Sequence, residues 1–410
     1  MRQSKLFTKT TKDTPKGEEA KNAQLLIRGG FINKEMAGVY SYLPLGLRVI
    51  KKVEAIIRDE MDNTLGASEM FMPALHPLEN YEKTGRDNID VLFRTELATG
   101  RELVLGQSHE EVVVPLAKNH IFSYRDLPVY VYQIQNKFRN ELRAKSGILR
   151  GREFSMKDLY SFHTDEEDLS KYYEKSKEAY ENIFRRAGIG DQTFITFADG
   201  GTFSKYSHEF QTVTEAGEDL IYLCEDCKVA INEEIIDKQA KCPKCDKPKD
   251  ELKKEKSIEV GNIFKLKTKF SDAFDLTYTD EDGEEKPVYM GCYGIGVGRL
   301  MGAVLEVNSD EKGMIWPEEI APYKIHLIPI GKDGEEKADE IYDELSDQFE
   351  ILYDDRDTSV GDKFADADLM GIPYRVLVSD KTLKEDSVEI KRRGDEEEKL
   401  VKIDNLQSYV

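Results

Sequence analysis

Hydrophobic and polar positions along this chain repeat with two different periods, and the changes of period mark its elements. Residues 44–62 (PLGLRVIKKVEAIIRDEMD) place apolar side chains at Leu47, Ile50, Val53, Ile57 and Met61, a helical spacing. Residues 63–67 (NTLGA) break it, and 69–72 read as a short strand stopped by Pro73. Residues 129–141 (VYVYQIQNKFRNE) alternate, with Tyr130, Tyr132 and Ile134 on one face and Gln133 and Gln135 on the other, so a strand is predicted. A loop at 142–149 and a second strand near 150–162 complete a long antiparallel hairpin. Residues 165–187 predict a charged amphipathic helix with Leu169, Tyr172, Tyr173 and Tyr180 inward.

Toward the C-terminus the pattern becomes strand (324–330), helix (335–349), strand (EILYDD, 350–355), helix (362–370) and strand (374–378). That alternation predicts a parallel α/β unit. Residues 220–257 differ from both neighbours: they hold two CxxC pairs and a lysine-rich polar stretch, and read as a small insertion. Residues 258–300 return to strand-like segments, and Pro317 and Pro322 bracket a linker. The expected fold class is α+β: a large domain over 1–219 and 258–320, the cysteine-bearing insertion at 220–257, and a C-terminal α/β domain at 322–410.

Composition narrows the function classes. The 410 residues suffice for two or three domains, with 39% hydrophobic and 34% charged residues. No apolar run approaches membrane-spanning length, and the opening MRQSKLFTKTTKDTP has no apolar signal core, so a cytoplasmic location is expected. A net charge of −21 argues against a non-specific nucleic-acid coat, yet leaves room for a specific RNA partner met through local patches. Four of the five cysteines form Cys224-x2-Cys227 and Cys242-x2-Cys245, fourteen residues apart. Four thiolates in that pattern suit one tetrahedral zinc ion; metal-free cysteines in a loop are the alternative, weakened by how little core so polar a segment offers.

On the hairpin, Arg139 and Glu141 are two apart, as are Arg150, Arg152 and Phe154 across the loop, so each set is expected to share a strand face. Together they offer cations for a polyphosphate, a carboxylate and an aromatic plane for a base. A solvated salt-bridge ladder reads equally well from these residues alone. The run GCYGIGVGR (291–299) ends in Arg299 and fits neither the phosphate-loop nor the dinucleotide pattern; a helix packed closely on a sheet through its glycines is the other reading.

Order decides between these readings. A helix–strand–proline unit ending at Pro73, then FRNE…RGREF, then GCYGIGVGR resemble the three signature motifs of class II aminoacyl-tRNA synthetases. With SHEE (108–111), YQIQNKFRNELR, REFSMKDLYSFHT, SHEFQ (207–211) and IAPYKIHLIPI, nearly the whole chain resembles the bacterial-type prolyl-tRNA synthetases. The resemblance implies an antiparallel-sheet catalytic domain and a C-terminal anticodon-binding domain, ATP with Mg2+, L-proline and proline tRNA as partners, a homodimer, and no membrane or DNA partner.

It also implies roles. Arg139 would hold the α-phosphate and the proline carboxylate, Glu141 and Phe154 the adenine, and Arg150 and Arg299 the outer phosphates; Arg139 and Arg299 would be the catalytic pair. Ser108 and Glu110 would accept hydrogen bonds from the proline ring nitrogen. The family usually carries threonine where this chain has Ser108, which keeps the hydroxyl and loses a methyl. Met156, His208 and Cys292 would line the proline pocket, core packing being the other reading for each. Asp355, Arg356, Lys363 and Phe364, in YDDRDTSVGDKFADADLMGIP, would contact the anticodon, or else cap helices and fill a core. The 322–410 segment carries 13 Lys and Arg against 24 Asp and Glu, so recognition is expected through few specific contacts.

Many relatives carry a large editing domain between the second and third motifs, where this chain has only residues 220–257; self-editing of mischarged alanyl-tRNA is therefore not expected. Threonyl- or glycyl-specific synthetases, a synthetase-like RNA binder without catalysis and a zinc-ribbon RNA-binding module are the competing readings. SHEE together with GCYGIGVGR favours proline, and the three arginines at 139, 150 and 299 favour retained catalysis.

Overall fold

A computed structural model describes every residue except Arg143 and Lys145, which fall within the expected 142–149 loop. The chain forms two compact units: residues 1–35, 40–53 and 304–410 in one, and 36–39 with 54–303 in the other. Among the described residues no helix is long and apolar enough to cross a membrane.

The second unit is built on a nine-stranded sheet. Its strands, in chain order, are β1 Ser68–Glu69, β2 Val129–Phe138, β3 Glu153–His163, β4 Thr193–Asp199, β5 Tyr206–Val213, β6 Asp219–Cys224, β7 Val229–Asn232, β8 Lys253–Lys267 and β9 Tyr289–Gly296. Their spatial order is β5-β4-β7-β6-β8-β9-β3-β2-β1, and β5 also pairs with β8. That extra pairing closes five strands into a ring, because the long β8 carries β6 at Lys253–Ser257 and β5 from Ser257 onward along one edge. The cysteine-bearing segment therefore supplies two ladder strands of this sheet.

Helix α1 (Pro44–Asp59) matches its apolar spacing, and a short π-turn over Glu60–Thr64 follows it. The strand after it is only two residues long, since Met72 N–H is already taken by the Gln133 side chain at 3.0 Å before Pro73. Helix α2 (Glu110–Ala117) begins in the SHEE segment. Helix α3 (Glu166–Arg186) is capped by Asp165, whose carboxylate accepts from Asp168 N–H at 2.8 Å, and carries three acids in its first turn and two arginines in its last. It buries Leu169, Tyr172, Tyr173 and Tyr180 against β8, β9 and β3. Helix α4 (Val297–Val307) follows β9 directly.

In the other unit, β10 (Ile325–Ile330), β11 (Ile351–Tyr353) and β12 (Tyr374–Ser379) run parallel in the order β11-β10-β12. Helices α5 (Lys332–Leu345) and α6 (Val360–Met370) make the crossovers. Two further strands, β13 (Ser387–Arg392) and β14 (Lys399–Lys402), extend the sheet antiparallel, so it is mixed rather than wholly parallel.

Candidate active site

The hairpin of β2 and β3 pairs from Val129 opposite Phe162 to Phe138 opposite Glu153. It stops there, which corrects the expected shared faces: Arg139, Glu141, Arg150 and Arg152 all lie beyond the strands. Glu141 N–H turns back to the Arg139 carbonyl at 2.7 Å, and that tight turn ends the alternation. The two halves separate accordingly. Glu141 and Arg150 pair with each other at 2.8 Å near the surface, while Arg139 turns inward over the Phe154 ring, 5.3 Å from its centroid.

Arg139 and Phe154 line a cavity of about 650 Å³ on the sheet face. Met156 follows Phe154 on the same side of β3, Asn262 and Phe264 come from β8, and Cys292, Gly294 and Gly296 from β9. At Gly294 a Cβ would already touch the Met156 sulfur at 3.7 Å, so any larger side chain would project into the cavity. The close helix packing suspected for the glycine run occurs just past it. Gly302 of α4 lies against Leu149, and the Leu149 carbonyl accepts from Arg299 Nε at 2.9 Å. Arg299, in the first turn of α4, also meets the Glu259 carboxylate at 3.0 Å. Burial, and then the nearby Arg299 charge, lower the pKa of Arg139. Two guanidinium groups thus face one cavity, an arrangement that an entering anion relieves.

Of two acids in this wall, Glu209 follows strand alternation and Glu259 escapes it. Phe210 packs beneath α3 against Tyr180 and Phe184, so Glu209 on β5 faces the cavity. On β8 a bulge leaves Val260 unpaired, and this places Glu259 and Asn262 on one face although three residues apart. Burial, reinforced by the Glu259 charge, raises Glu209 to about 8. The Nδ2 of Asn262 reaches both carboxylates, at 3.4 Å to Glu209 and 3.0 Å to Glu259.

Asp158 lines the cavity and begins a buried charged layer behind it. Lys137 donates to Asp158 at 2.6 Å, and Asp158 also accepts from Gln133 and Tyr160. Burial pushes Asp158 up, but Lys137 and its other donors leave it below the ordinary range. Ser108 lines the cavity; Glu110 does not, sitting one layer back where it accepts from Cys292 Sγ at 3.1 Å and from Arg86 at 3.3 Å. Burial and the Glu110 charge push the Cys292 thiol well up, so it is a donor and not a nucleophile.

His208 is not brought to this cavity, a correction. It shares the Phe210 side of β5, bonds Tyr173 at 2.8 Å and lines a second cavity with Phe197 and Lys265. Reading the SHEFQ alternation against a core Phe210 finds Glu209 instead. Arg86, Asn232 and Glu234 carry no motif and no periodic position, and sequence reasoning had no means to find them.

Cys224, Cys227, Cys242 and Cys245 bring their sulfurs within 4.8 Å of one another. The two CxxC turns are built alike. Lys228 N–H donates to the Cys224 carbonyl and Asp246 N–H to the Cys242 carbonyl, each at 3.0 Å, and Lys228 and Asp246 both have left-handed backbones. Sulfur separations of 3.4 to 3.7 Å fit a single tetrahedral ion with metal–sulfur bonds of about 2.3 Å.

In the C-terminal unit, Arg356 is committed to Asp354 and Asp366 at 2.7 and 2.8 Å. Lys363 is only 5% exposed, with Nζ on the Asp354 carbonyl at 3.1 Å, so it leaves the set of surface contacts, a second correction. Asp355 accepts from Ser4, and the Arg375 guanidinium lies 4.5 Å from the Phe364 ring centre.

Residues 93–308 match the family described as tRNA synthetase class II core domain (G, H, P, S and T), and 324–410 match the anticodon binding domain. The chain is similar to the proline–tRNA ligase of Staphylococcus saprophyticus, 33% identical over 100% of this chain and 99% of that one. The Persephonella marina proline–tRNA ligase is 34% identical with 100% of both chains covered. The alignment with the Staphylococcus protein runs over 563 positions against 410 residues here, so that relative carries stretches absent from this chain. Among solved structures, Giardia lamblia prolyl-tRNA synthetase in complex with prolyl-adenylate shares the fold, with a TM-score of 0.77 at 20% identity over 93% of this chain and 74% of that one.

Proposed function

The chain belongs to the proline–tRNA ligase family, and from that premise we propose how its residues divide the work of activating L-proline with ATP and transferring it to tRNA. The observation that carries the assignment is the pair Arg139 and Arg299 facing one cavity from opposite elements. In the first step a proline carboxylate oxygen forms a bond to the α-phosphorus, the α–β bridging bond breaks, and pyrophosphate leaves. No side-chain nucleophile is required; positioning and charge stabilisation do the work. Arg139 holds the α-phosphate and the proline carboxylate, Phe154 stacks on adenine, Glu141 takes its amino group, and Arg150 and Arg299 take the outer phosphates. Mg2+ enters with ATP, and Glu209 and Glu259 are the carboxylates placed to meet it, since burial and then their mutual repulsion already raise Glu209. In the second step a terminal ribose hydroxyl of the tRNA attacks the adenylate carbonyl and AMP leaves.

Ser108 receives the ring ammonium of proline, with Met156 and Cys292 at the pocket wall, and Glu110 supplies its charge from behind Cys292. His208 acts from behind β5 by fixing Tyr173. The four cysteines bind one zinc ion, Asp355 and the exposed edge of Arg356 and Phe364 serve tRNA recognition, and the enzyme works in the cytoplasm as a homodimer.

Pyrophosphate exchange with each of the twenty amino acids tests the central assignment. Exchange is expected with proline, weakly with alanine, and exchange led by another amino acid overturns it. Metal analysis of chelator-free protein is expected to find zinc near one equivalent, lost when Cys224 and Cys242 are replaced together.

A further inference from the structure

The cysteine segment is joined to the activating cavity by a single hairpin. Strands β6 and β7 pair from Cys224 opposite Val229 to Ile221 opposite Asn232. The Cys224–Cys227 turn is the tip of this hairpin, and its base is the catalytic wall. There Asn232, 6% exposed, donates from Nδ2 to Glu209 at 3.0 Å. On the partner strand, Asp219 accepts from Gln211 at 3.0 Å, and Gln211 in turn donates to Glu209 at 2.9 Å. The Asn232 Oδ1 accepts from Glu234 N–H at 3.1 Å, capping the short helix Glu233–Ile236 and holding Glu234 at the cavity. The other edge of β7 is pinned in parallel to β4, with Ile231 opposite Phe197.

We propose that Asn232 is a positioning residue for amino-acid activation, held in place by the metal-bound cysteine turn, so that the four-cysteine site governs the first chemical step and not only tRNA contact. This rests on the cavity being the activating site. The geometry supports it because β6 runs from Asp219, which holds the Gln211 amide beside Glu209, to Cys224, and β7 runs from two residues past Cys227 to Asn232, which donates to Glu209. A metal that fixes four sulfurs fixes the turn between β6 and β7, and the four-residue ladder below it carries that placement to its base, alongside the β8 and β4 pairings. With the tip released, the base of the hairpin is held by the β4 and β8 pairings alone, and the Asn232 amide is free to move off Glu209 and off the Glu234 cap. Outer partners of this kind typically change activity by roughly 10- to 100-fold.

The test uses proline-dependent pyrophosphate exchange without tRNA, on the full chain. Asn232→Ala is expected to keep its four-cysteine metal and a cooperative melt while kcat falls roughly 10- to 100-fold. Its KM for proline is expected to stay near the wild-type value, because Asn232 bonds Glu209 and Glu234 and not Ser108 or Arg139, which hold the amino acid. A general loosening of the fold would raise that KM as well. Removing the metal from the wild-type chain is expected to produce the same loss of exchange. Normal exchange by Asn232→Ala, a lowered rate with a raised KM for proline, or full exchange by metal-free protein overturns the proposal. If Asn232→Ala does not fold, the metal-free wild-type arm decides. Wild-type protein that activates no proline would instead overturn the reading of the cavity.

Discussion

Arg86 Nη1 lies 3.3 Å from the Glu110 carboxylate, with 3% and 0% of their side chains exposed. The same nitrogen reaches Glu111 at 3.0 Å, and Nε and Nη2 have no hydrogen-bond partner; the guanidinium lies 4.5 Å from the centre of the Phe203 ring. Two carboxylates therefore share one arginine. Burial, against the pull of Arg86 and with Glu110 pushing the same way, raises Glu111 to about 7.

Replacing Arg86 by Met should be severely destabilising, by about 3–5 kcal/mol, because it leaves buried carboxylates unpaired. Arg86→Lys should fold but raise the KM for proline more than it lowers kcat, since a compact ammonium does not reproduce a planar guanidinium set between both carboxylates and the Phe203 ring. Urea unfolding and proline-dependent exchange check the two statements; a silent Arg86→Met would contradict the pairing.

Arg299→Ala should lower adenylate formation by roughly 10²–10³-fold, the scale of removing one preorganised group facing developing charge. The side chain also holds the Leu149 and Glu259 carbonyls, so a stability loss of about 1–3 kcal/mol should accompany it. A variant with near-normal exchange would remove Arg299 from the reaction.

Acid should destabilise the ligand-free chain. Burial lowers five of its six histidines: His76 and His326 to about 4, His109 and His208 to about 3, and His163 to a lesser extent. Unfolded histidines take up protons near pH 6.5, before the folded ones do, so stability is lost as pH falls from there toward 4. Glu209 and Glu111, raised to about 8 and about 7, work in the opposite sense because the folded chain keeps their protons longer. Five against two leaves the histidines dominant, and the melting temperature should be lower at pH 5 than at pH 6.5. An unchanged or higher value at pH 5 would contradict these burials.

The hairpin, α3 and the strand–helix alternation after residue 324 were legible because each buries one face with a strict period. The site was legible mainly as motif. Arg139 and Glu141 were assigned one strand face, which a turn after Phe138 prevents. Glu259 and Asn262 share a face only through a bulge that no alternation reveals. His208 entered through the family resemblance alone, whereas the core role of Phe210 fixes the phase of β5 and turns Glu209 to the cavity. Lys363 looked exposed by its charge, yet its stem and ammonium are enclosed by the Asp354 and Pro329 carbonyls. Long-range partners such as Arg86 with Glu110, or Asn232 with Glu209, exist only once the chain is folded.

A pocket shaped for proline cannot strongly reject alanine, because each missing methylene is worth only about 1–3 kcal/mol of discrimination. Some alanyl-tRNA should therefore form, and this chain should be unable to clear it. Residues 220–257 are given over to strands β6 and β7, a four-residue helix and the two cysteine turns. An ion held by all four sulfurs would have no open position to activate water. The stretches that the longer Staphylococcus relative adds to its alignment have no counterpart here. A tighter pocket is the competing explanation for an enzyme without clearance, and Ser108 and Cys292 are where it would be built. The two are separated by incubating purified enzyme with pre-formed alanyl-tRNA bearing the proline anticodon, alongside alanine-dependent exchange. Measurable alanine exchange with no enzyme-dependent deacylation is the expected pair of results. Rapid deacylation would show that a hydrolytic site exists in this chain, and absent alanine exchange would place the discrimination in the pocket itself.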